Sequence, residues 1–455
     1  MTAMTQSMTY DVAVAALEDA LKFGMDPSLE PIRAMCVAMG DPQKRYCCVQ
    51  VAGTNGKSST TRMIAALLHA QGLRVGLYVS PHLVKYPERI EIDGAVVDDE
   101  TFARGIEAAL GAAARAGVQA TEFELLTAAA LWLFAQEGAD WAVLECGLGG
   151  RWDATSVVNP QVAVITGVAL EHTAILGDTI EEIAGEKAAI IKPGCHAIFA
   201  HDLPAREVFE QQTQQVHASY ESVDPEIVTP FDNELAYMPV YQRSNLATAL
   251  TAVTAALGHA PSMASVRAAL NGLVIPGRFE VLCRNPLVIV DAAHNPQSAH
   301  VLAGELQRLF ECAKGPDSQT HSYSIGDGGA AGADAGRFPH EPGAPVAFPR
   351  ELRTMSPASA PAAPPRLTLL LGVLDDKDAR GIIRELCPLF DRIVVTASSS
   401  PRAIPADELA TIVESECGVH PEVTQSVREA HELLISEPIL ATGSITVAGE
   451  VKGIW

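Results

Sequence analysis

Lys57 stands in a run of residues whose types and spacing suit phosphate chemistry: Ala52-Gly53-Thr54-Asn55-Gly56-Lys57-Ser58-Ser59. The run follows an apolar stretch, Tyr46 to Val51, and opens a helix-patterned segment, Lys57 to Gln71. That is a strand, a glycine turn and a helix N-terminus. Backbone N–H groups and the helix dipole make an anion site there. Lys57 adds a point charge for β- and γ-phosphates, and a hydroxyl of Ser58 or Ser59 can reach Mg²⁺. The spacing departs from G-x-x-x-x-G-K-[ST], whose first glycine would fall on Val51, so Gly53 and Gly56 leave a tighter loop. The amphipathic helix after it, with Met63, Ile64, Leu67 and Leu68 on one face, argues against a chance turn. Gly53, Thr54, Asn55, Gly56, Lys57, Ser58 and Ser59 are therefore expected to hold ATP.

Open α/β sheets bind ligands outside the carboxyl ends of their strands, so the polar residues that end apolar runs come next. Ser80 follows Gly76–Val79. Glu145 follows Trp141–Leu144 and precedes Cys146-Gly147-Leu148-Gly149-Gly150. Leu170-Glu171-His172 lies beyond Val162–Ile165. Mg²⁺ prefers a few protein oxygens completed by water and phosphate. Glu145 suits it and Ser80 is a neutral ligand, while His172 is unusual and reads equally as metal ligand or phosphate contact. Arg151 and Asp153 either pair as a salt bridge or line the substrate pocket. Lys187 lies late in a helical pattern, where an exposed lysine is the ordinary case. Arg278, in Pro276-Gly277-Arg278, is placed to clamp a phosphate. Asp291 and His294 end an apolar run, Leu287–Val290, and by the same rule face the cleft.

These residues need a scaffold, and the composition supplies one. The chain has 455 residues, 48% of them hydrophobic, with few aromatics, which suits α/β packing. Its net charge of −23 argues against nucleic acid or an anionic membrane as partner. Nine cysteines without a C-x-x-C pair read as reduced thiols. No apolar run approaches the roughly 18 residues of a membrane span, and no leader pattern opens the chain. A cytoplasmic monomer is expected.

The expected strands of the first domain are Cys47–Ala52, Arg74–Val79, Trp141–Leu144 and Val162–Ile165, with helices Arg104–Arg115 and Leu125–Gln136. Such alternation predicts a parallel sheet covered on both faces. Residues 201–240 are the least readable part. A second series begins near Leu282, with strands Leu287–Val290, Leu367–Gly372, Arg392–Thr396 and Ile439–Ala441. Between its halves, 313–365 is rich in Gly, Ala, Pro and Ser and reads as an insertion without a core. His321 and His340 lie in it and read as ordinary loop histidines. The fold expected is α/β: an N-terminal P-loop-type parallel-sheet ATPase domain (1–280) and a smaller, doubly wound, Rossmann-like C-terminal domain (281–455).

With these residues in view, the chain resembles folylpolyglutamate synthase/dihydrofolate synthase, a branch of the Mur ligase superfamily. The resemblance covers nearly everything except 313–365. It rests on Gly53–Lys57, Ser80-Pro81-His82-Leu83 with Glu88-Arg89-Ile90, Glu145 through Asp153-Ala154-Thr155, Gly185-Glu186-Lys187-Ala188, Gln242 with Asn245, Pro276-Gly277-Arg278 and Asp291 to Pro296, in that order. It implies an ATP-dependent ligase that phosphorylates a pteroate or folate carboxylate and joins it to L-glutamate. It implies Ser80, Glu145 and His172 as metal ligands and Lys57, Lys187 and His294 as catalytic groups. Lys187 matches a lysine that is often carbamylated. Asn245, Arg278 and Asp291 match nucleotide contacts, and Thr121 and Phe123 match the pterin-side pocket, where an aromatic ring can stack. Arg151 and Asp153 are expected at the substrate.

Ser58, Tyr241 and Ser156 depart from the family pattern, and Lys22-Phe23-Gly24-Met25 lacks a clear pteroate-binding sequence. Two other functions compete. A cell-wall ligase is disfavoured by Ser80–Leu83 and by the lack of a sugar-nucleotide domain before the loop. A nucleotide-dependent switch is disfavoured by Arg278 and Asp291–Pro296.

Overall fold

The computed structural model describes residues 8–24, 27–236, 238–313 and 367–455. Residues 314–365 of the expected insertion, with His321 and His340, lie outside the described residues, as does Met25. The chain forms two compact units, one of Met1–Phe231 with Gln242–Pro276, the other of Asp232–Tyr241 with Gly277–Trp455.

The strands of the first unit are β1 (Cys47–Ala52), β2 (Val75–Tyr78), β3 (Ile90–Ile92), β4 (Ala95–Val96), β5 (Trp141–Glu145), β6 (Val162–Ile165), β7 (His196–Phe199) and β8 (Ser219–Ser222). They form one sheet in the order β4-β3-β2-β5-β1-β6-β7-β8. β1 lies between β5 and β6, parallel to both, and is buried from Cys48 to Ala52. Strands buried on both faces read as continuous apolar runs, which is why β1, β5 and β6 were visible in the sequence. The helix Lys57–His69 buries Met63, Ile64, Leu67 and Leu68. The part least readable in sequence, 201–240, contains the helix Arg206–Gln215 and the edge strand β8, whose first three residues are exposed.

The sheet is not wholly parallel. β3 runs antiparallel to β2, and β4 to β3. The Asp93-Gly94 turn that joins β3 and β4 has φ of 53° and 79°. Two positive φ angles in a two-residue loop twist with the flanking strands, and Asp-Gly favours them.

The second unit holds β9 (Glu280–Arg284), β10 (Leu287–Val290), β11 (Thr368–Leu371), β12 (Ile393–Val395), β13 (Glu422–Val423) and β14 (Ile439–Thr442) in the order β13-β12-β11-β14-β10-β9. Among the described strands of this unit, only the β9–β10 pair is antiparallel. A core of β10, β11 and β12 residues with helix residues such as Leu302, Ile382 and Leu409 fills this unit. Among the described residues, no helix is long and apolar enough to cross a membrane.

Candidate active site

β1 ends at Ala52, and the chain turns through Gly53–Gly56 into the helix Lys57–His69. Gly56 caps that helix with φ 81°, a conformation that favours glycine. A Cβ on Gly56 would lie 2.7 Å from Asn245 Oδ1, and one on Gly53 would lie 2.0 Å from Thr166 Oγ1. Both glycines are thus required by close neighbours. Thr166, just past β6, donates its hydroxyl to the Asn55 carbonyl at 2.7 Å. Thr54 N–H donates to the Gly167 carbonyl at 2.9 Å, and Ala169 N–H donates to Thr54 Oγ1 at 3.0 Å. From the helix Tyr241–Leu257, Asn245 donates to Gln242 at 2.9 Å, and Gln242 donates to Ser59 Oγ at 3.3 Å. The loop is therefore braced before any ligand arrives.

Two lysines meet at one carbonyl. Lys57 Nζ donates to the Gly53 and Thr54 carbonyls at 2.9 and 3.0 Å, and Lys187 Nζ donates to the Gly53 carbonyl at 2.9 Å. Lys187 comes from the helix Ile180–Ala188 and is 4% exposed, not the surface lysine its pattern suggests. Burial first, and the Lys57 charge second, bring its amine down to about 7, with Glu171 pulling the other way. The Lys57 charge beside it therefore favours the neutral form of the Lys187 amine.

Glu145 is the last residue of β5 and is buried. Ser58 donates its hydroxyl to Glu145 Oε1 at 2.7 Å, and Ser80 N–H donates to Oε2 at 3.3 Å. The first helical turn after the loop and the end of β2 thus meet at one carboxylate. His172 precedes the short helix Thr173–Leu176 with φ 52°, and its Nε2 lies 4.0 Å from Glu171 Oε1. Among the described residues, no three His, Cys, Asp or Glu side chains group tightly enough to hold a metal alone. A buried carboxylate beside the Ser58 hydroxyl fits a hard cation that keeps water and phosphate oxygens as ligands.

Arg151 does not pair with Asp153. Its Nε donates to Glu186 Oε1 at 2.8 Å, on a partly exposed surface. Asp153 is buried and braces its own turn: Oδ2 accepts from the Gly147 and Leu148 N–H groups at 2.8 and 2.9 Å, and Oδ1 accepts from Thr155 N–H at 3.0 Å and from its hydroxyl. Both oxygens are committed to that turn because four donors around a buried carboxylate need an acceptor. Thr121 likewise caps the helix Glu122–Gln136. Its hydroxyl accepts from Glu124 N–H at 3.2 Å and donates to Glu124 Oε2 at 3.0 Å. Phe123 is half-buried, 6.0 Å from the Tyr78 ring, and a Cβ on Gly147 would lie 2.8 Å from its Cζ. The glycine after Cys146 therefore makes room for this ring.

In the second unit, Asp291 is buried just past β10. Its carboxylate accepts from Phe279 N–H at 2.7 Å and from Ala293 N–H at 2.8 Å. Burial raises its proton affinity, and the nearby Arg278 charge opposes that shift. Arg278 donates to the Gly277 carbonyl at 3.0 Å. His294 Nδ1 lies 2.8 Å from the Ala292 carbonyl, which only accepts, so the ring proton sits on Nδ1.

Sequence reasoning missed three contributors. Thr166 follows β6 directly, so the strand-end rule would have found it had it been applied four residues before Leu170. Glu171 adjoins His172 and acts electrostatically on Lys187. Gln50, buried within β1, donates to Thr155 and Ser156 at 3.0 and 2.9 Å and holds their turn against the sheet. A glutamine inside an apolar strand was the available signal.

The Mur ligase middle-domain family matches residues 51–226. A dihydrofolate synthase/folylpolyglutamate synthase of Mycobacterium tuberculosis is 32% identical over 95% of this chain and 90% of its own length. The structure of Mycobacterium tuberculosis folylpolyglutamate synthase complexed with ADP superposes with a TM-score of 0.78 and 28% identity, covering 98% of each chain. A bifunctional folylpolyglutamate synthase/dihydrofolate synthase of Yersinia pestis, complexed with AMPPNP and a Mn ion, gives a TM-score of 0.75 and 25% identity over 98% of this chain and 97% of its own.

Proposed function

The chain belongs to the dihydrofolate synthase/folylpolyglutamate synthase family, and from that premise we infer that it is an ATP-dependent ligase joining L-glutamate to a folate. The folate carboxylate attacks the γ-phosphorus of ATP, and ADP leaves. The glutamate amine then attacks the acyl phosphate carbon, loses a proton, and the tetrahedral intermediate expels phosphate. Positioning and charge neutralisation carry most of such a reaction.

Gly53 to Ser59 cradle the phosphates, with Lys57 and Asn245 beside them. Arg278 and Asp291 contact the nucleotide. Glu145, Ser80 and His172 would hold a divalent ion, Mg²⁺, which would neutralise phosphoryl charge. We propose that Lys187 carries a carbamate. His294 acts near the acyl phosphate and the incoming glutamate. Phe123 stacks on the pterin. Thr121 and Asp153 shape that pocket through the helix cap and the glycine turn they brace, and Arg151 lines it. Residues 1–280 bind ATP and 281–455 serve the glutamate half-reaction, in a cytoplasmic monomer.

The observation that supports this most is the pair of lysines on the Gly53 carbonyl, next to a helix whose Ser58 meets Glu145. A second acceptor, dihydropteroate, is favoured by the Mycobacterium tuberculosis relative, whose name joins both activities. Phosphate release with MgATP and glutamate tests both acceptors. Release is expected with tetrahydrofolate and with dihydropteroate. Release only with a cell-wall nucleotide precursor would reassign the acceptor, and none with any acceptor would favour a switch.

A further inference from the structure

The segment between β2 and β3 runs from Ser80, beside Glu145, to Arg89. Glu88 staples it from within: its carboxylate accepts from the N–H groups of Leu83, Val84 and Lys85 at 2.9, 3.1 and 2.9 Å. Arg89 fixes it from without. This arginine is 8% exposed. Its Nε donates to His82 Nδ1 at 2.9 Å, its Nη2 lies 3.3 Å from Glu122 Oε1, and its guanidinium lies 5.4 Å from the Tyr86 ring centre. Glu122 is the first residue of the helix Glu122–Gln136, and Phe123 is the next.

We propose that Arg89 is a positioning residue that docks the Ser80–Arg89 segment onto the N-terminal turn of the Phe123 helix, fixing where the folate ring is held relative to Ser80. A planar guanidinium with donors in a rigid fork suits this task, because it engages a ring nitrogen and a carboxylate at once in fixed directions. A lysine has no such fork. Arginine only donates, so His82 Nδ1 is the acceptor and His82 orients the fork. The contacts of Arg89 are to His82, Glu122 and Tyr86, all side chains of the protein. The inference rests on the assignment of Phe123 to the folate pocket.

His82→Leu and His82→Asn test it, since both keep the Arg89–Glu122 pair and the asparagine oxygen replaces Nδ1 as acceptor. His82→Leu is expected to raise the KM for tetrahydrofolate about tenfold, the order of one charge-assisted hydrogen bond, with the KM for ATP changed less than about twofold, and His82→Asn to restore most of it. Arg89→Met combined with Glu122→Gln, which strands no buried charge, is expected to give the same split. The KM values for tetrahydrofolate and ATP rising together, or Asn behaving like Leu, would overturn the proposal. Phe123→Ala separates the two assumptions. If it raises the KM for tetrahydrofolate while His82→Leu does not, the docking role fails alone. If Phe123→Ala leaves that KM unaltered, the pocket assignment fails and takes the proposal with it.

Discussion

Lys187 is expected to carry CO₂ as a carbamate. An ordinary lysine titrates at 10.5, while burial and Lys57 bring this one to about 7. At pH 7.5 an unshifted lysine is neutral in about one molecule in a thousand, and a group at 7 in about three in four. Only the neutral amine adds to CO₂, giving a carbamate and releasing one proton, so the reactive fraction rises by several hundredfold. The product is an anion beside the Lys57 charge, an attractive pair. Labelled bicarbonate should give one carbamate carbon signal in the native protein and none in Lys187→Met. Ligase activity should fall in CO₂-free buffer and return with bicarbonate. Native protein that binds no labelled carbon near neutral pH, and whose activity ignores CO₂, would refute the reasoning. The unmodified amine makes a second demand. Its folded pKa is depressed, so the unfolded chain binds more protons between about 7 and 10.5. In CO₂-free buffer, stability should therefore rise with pH across that window, by at most about 1.4 kcal/mol per pH unit, and Lys187→Met should lose that slope in denaturant titrations.

Lys57→Ala should abolish turnover and leave the circular dichroism spectrum intact, because it removes phosphate charge from a loop held by other groups; turnover near the native level would move the ATP site elsewhere. Gly56→Ala should weaken ATP binding in calorimetry, since its Cβ meets Asn245 Oδ1 at 2.7 Å on a backbone with φ 81°; unchanged affinity would mean the loop relaxes freely. Asp153→Asn should cost about 1–3 kcal/mol in denaturant unfolding by leaving a buried donor of the glycine turn without an acceptor, with a raised KM for the folate; unaltered stability would contradict the bracing role.

The sequence by itself determined the phosphate loop and the strands around it. Gly53–Lys57 between a buried strand and an amphipathic helix is a local pattern, and local patterns follow from backbone geometry and the spacing of apolar residues. Strand-end residues such as Ser80 and Glu145 were readable for the same reason. Only the tertiary structure decided what depends on pairing across the chain. Lys187 reads as a surface lysine until the helix that carries it is packed, 134 residues away in sequence, onto the carbonyl of Gly53. Asp153 and Arg151 read as an ion pair or as pocket lining, and folding wraps a turn around one and gives the other to Glu186. Burial, local dielectric and the identity of a charge's nearest neighbour are set by which distant segments meet, and spacing along the chain does not encode that.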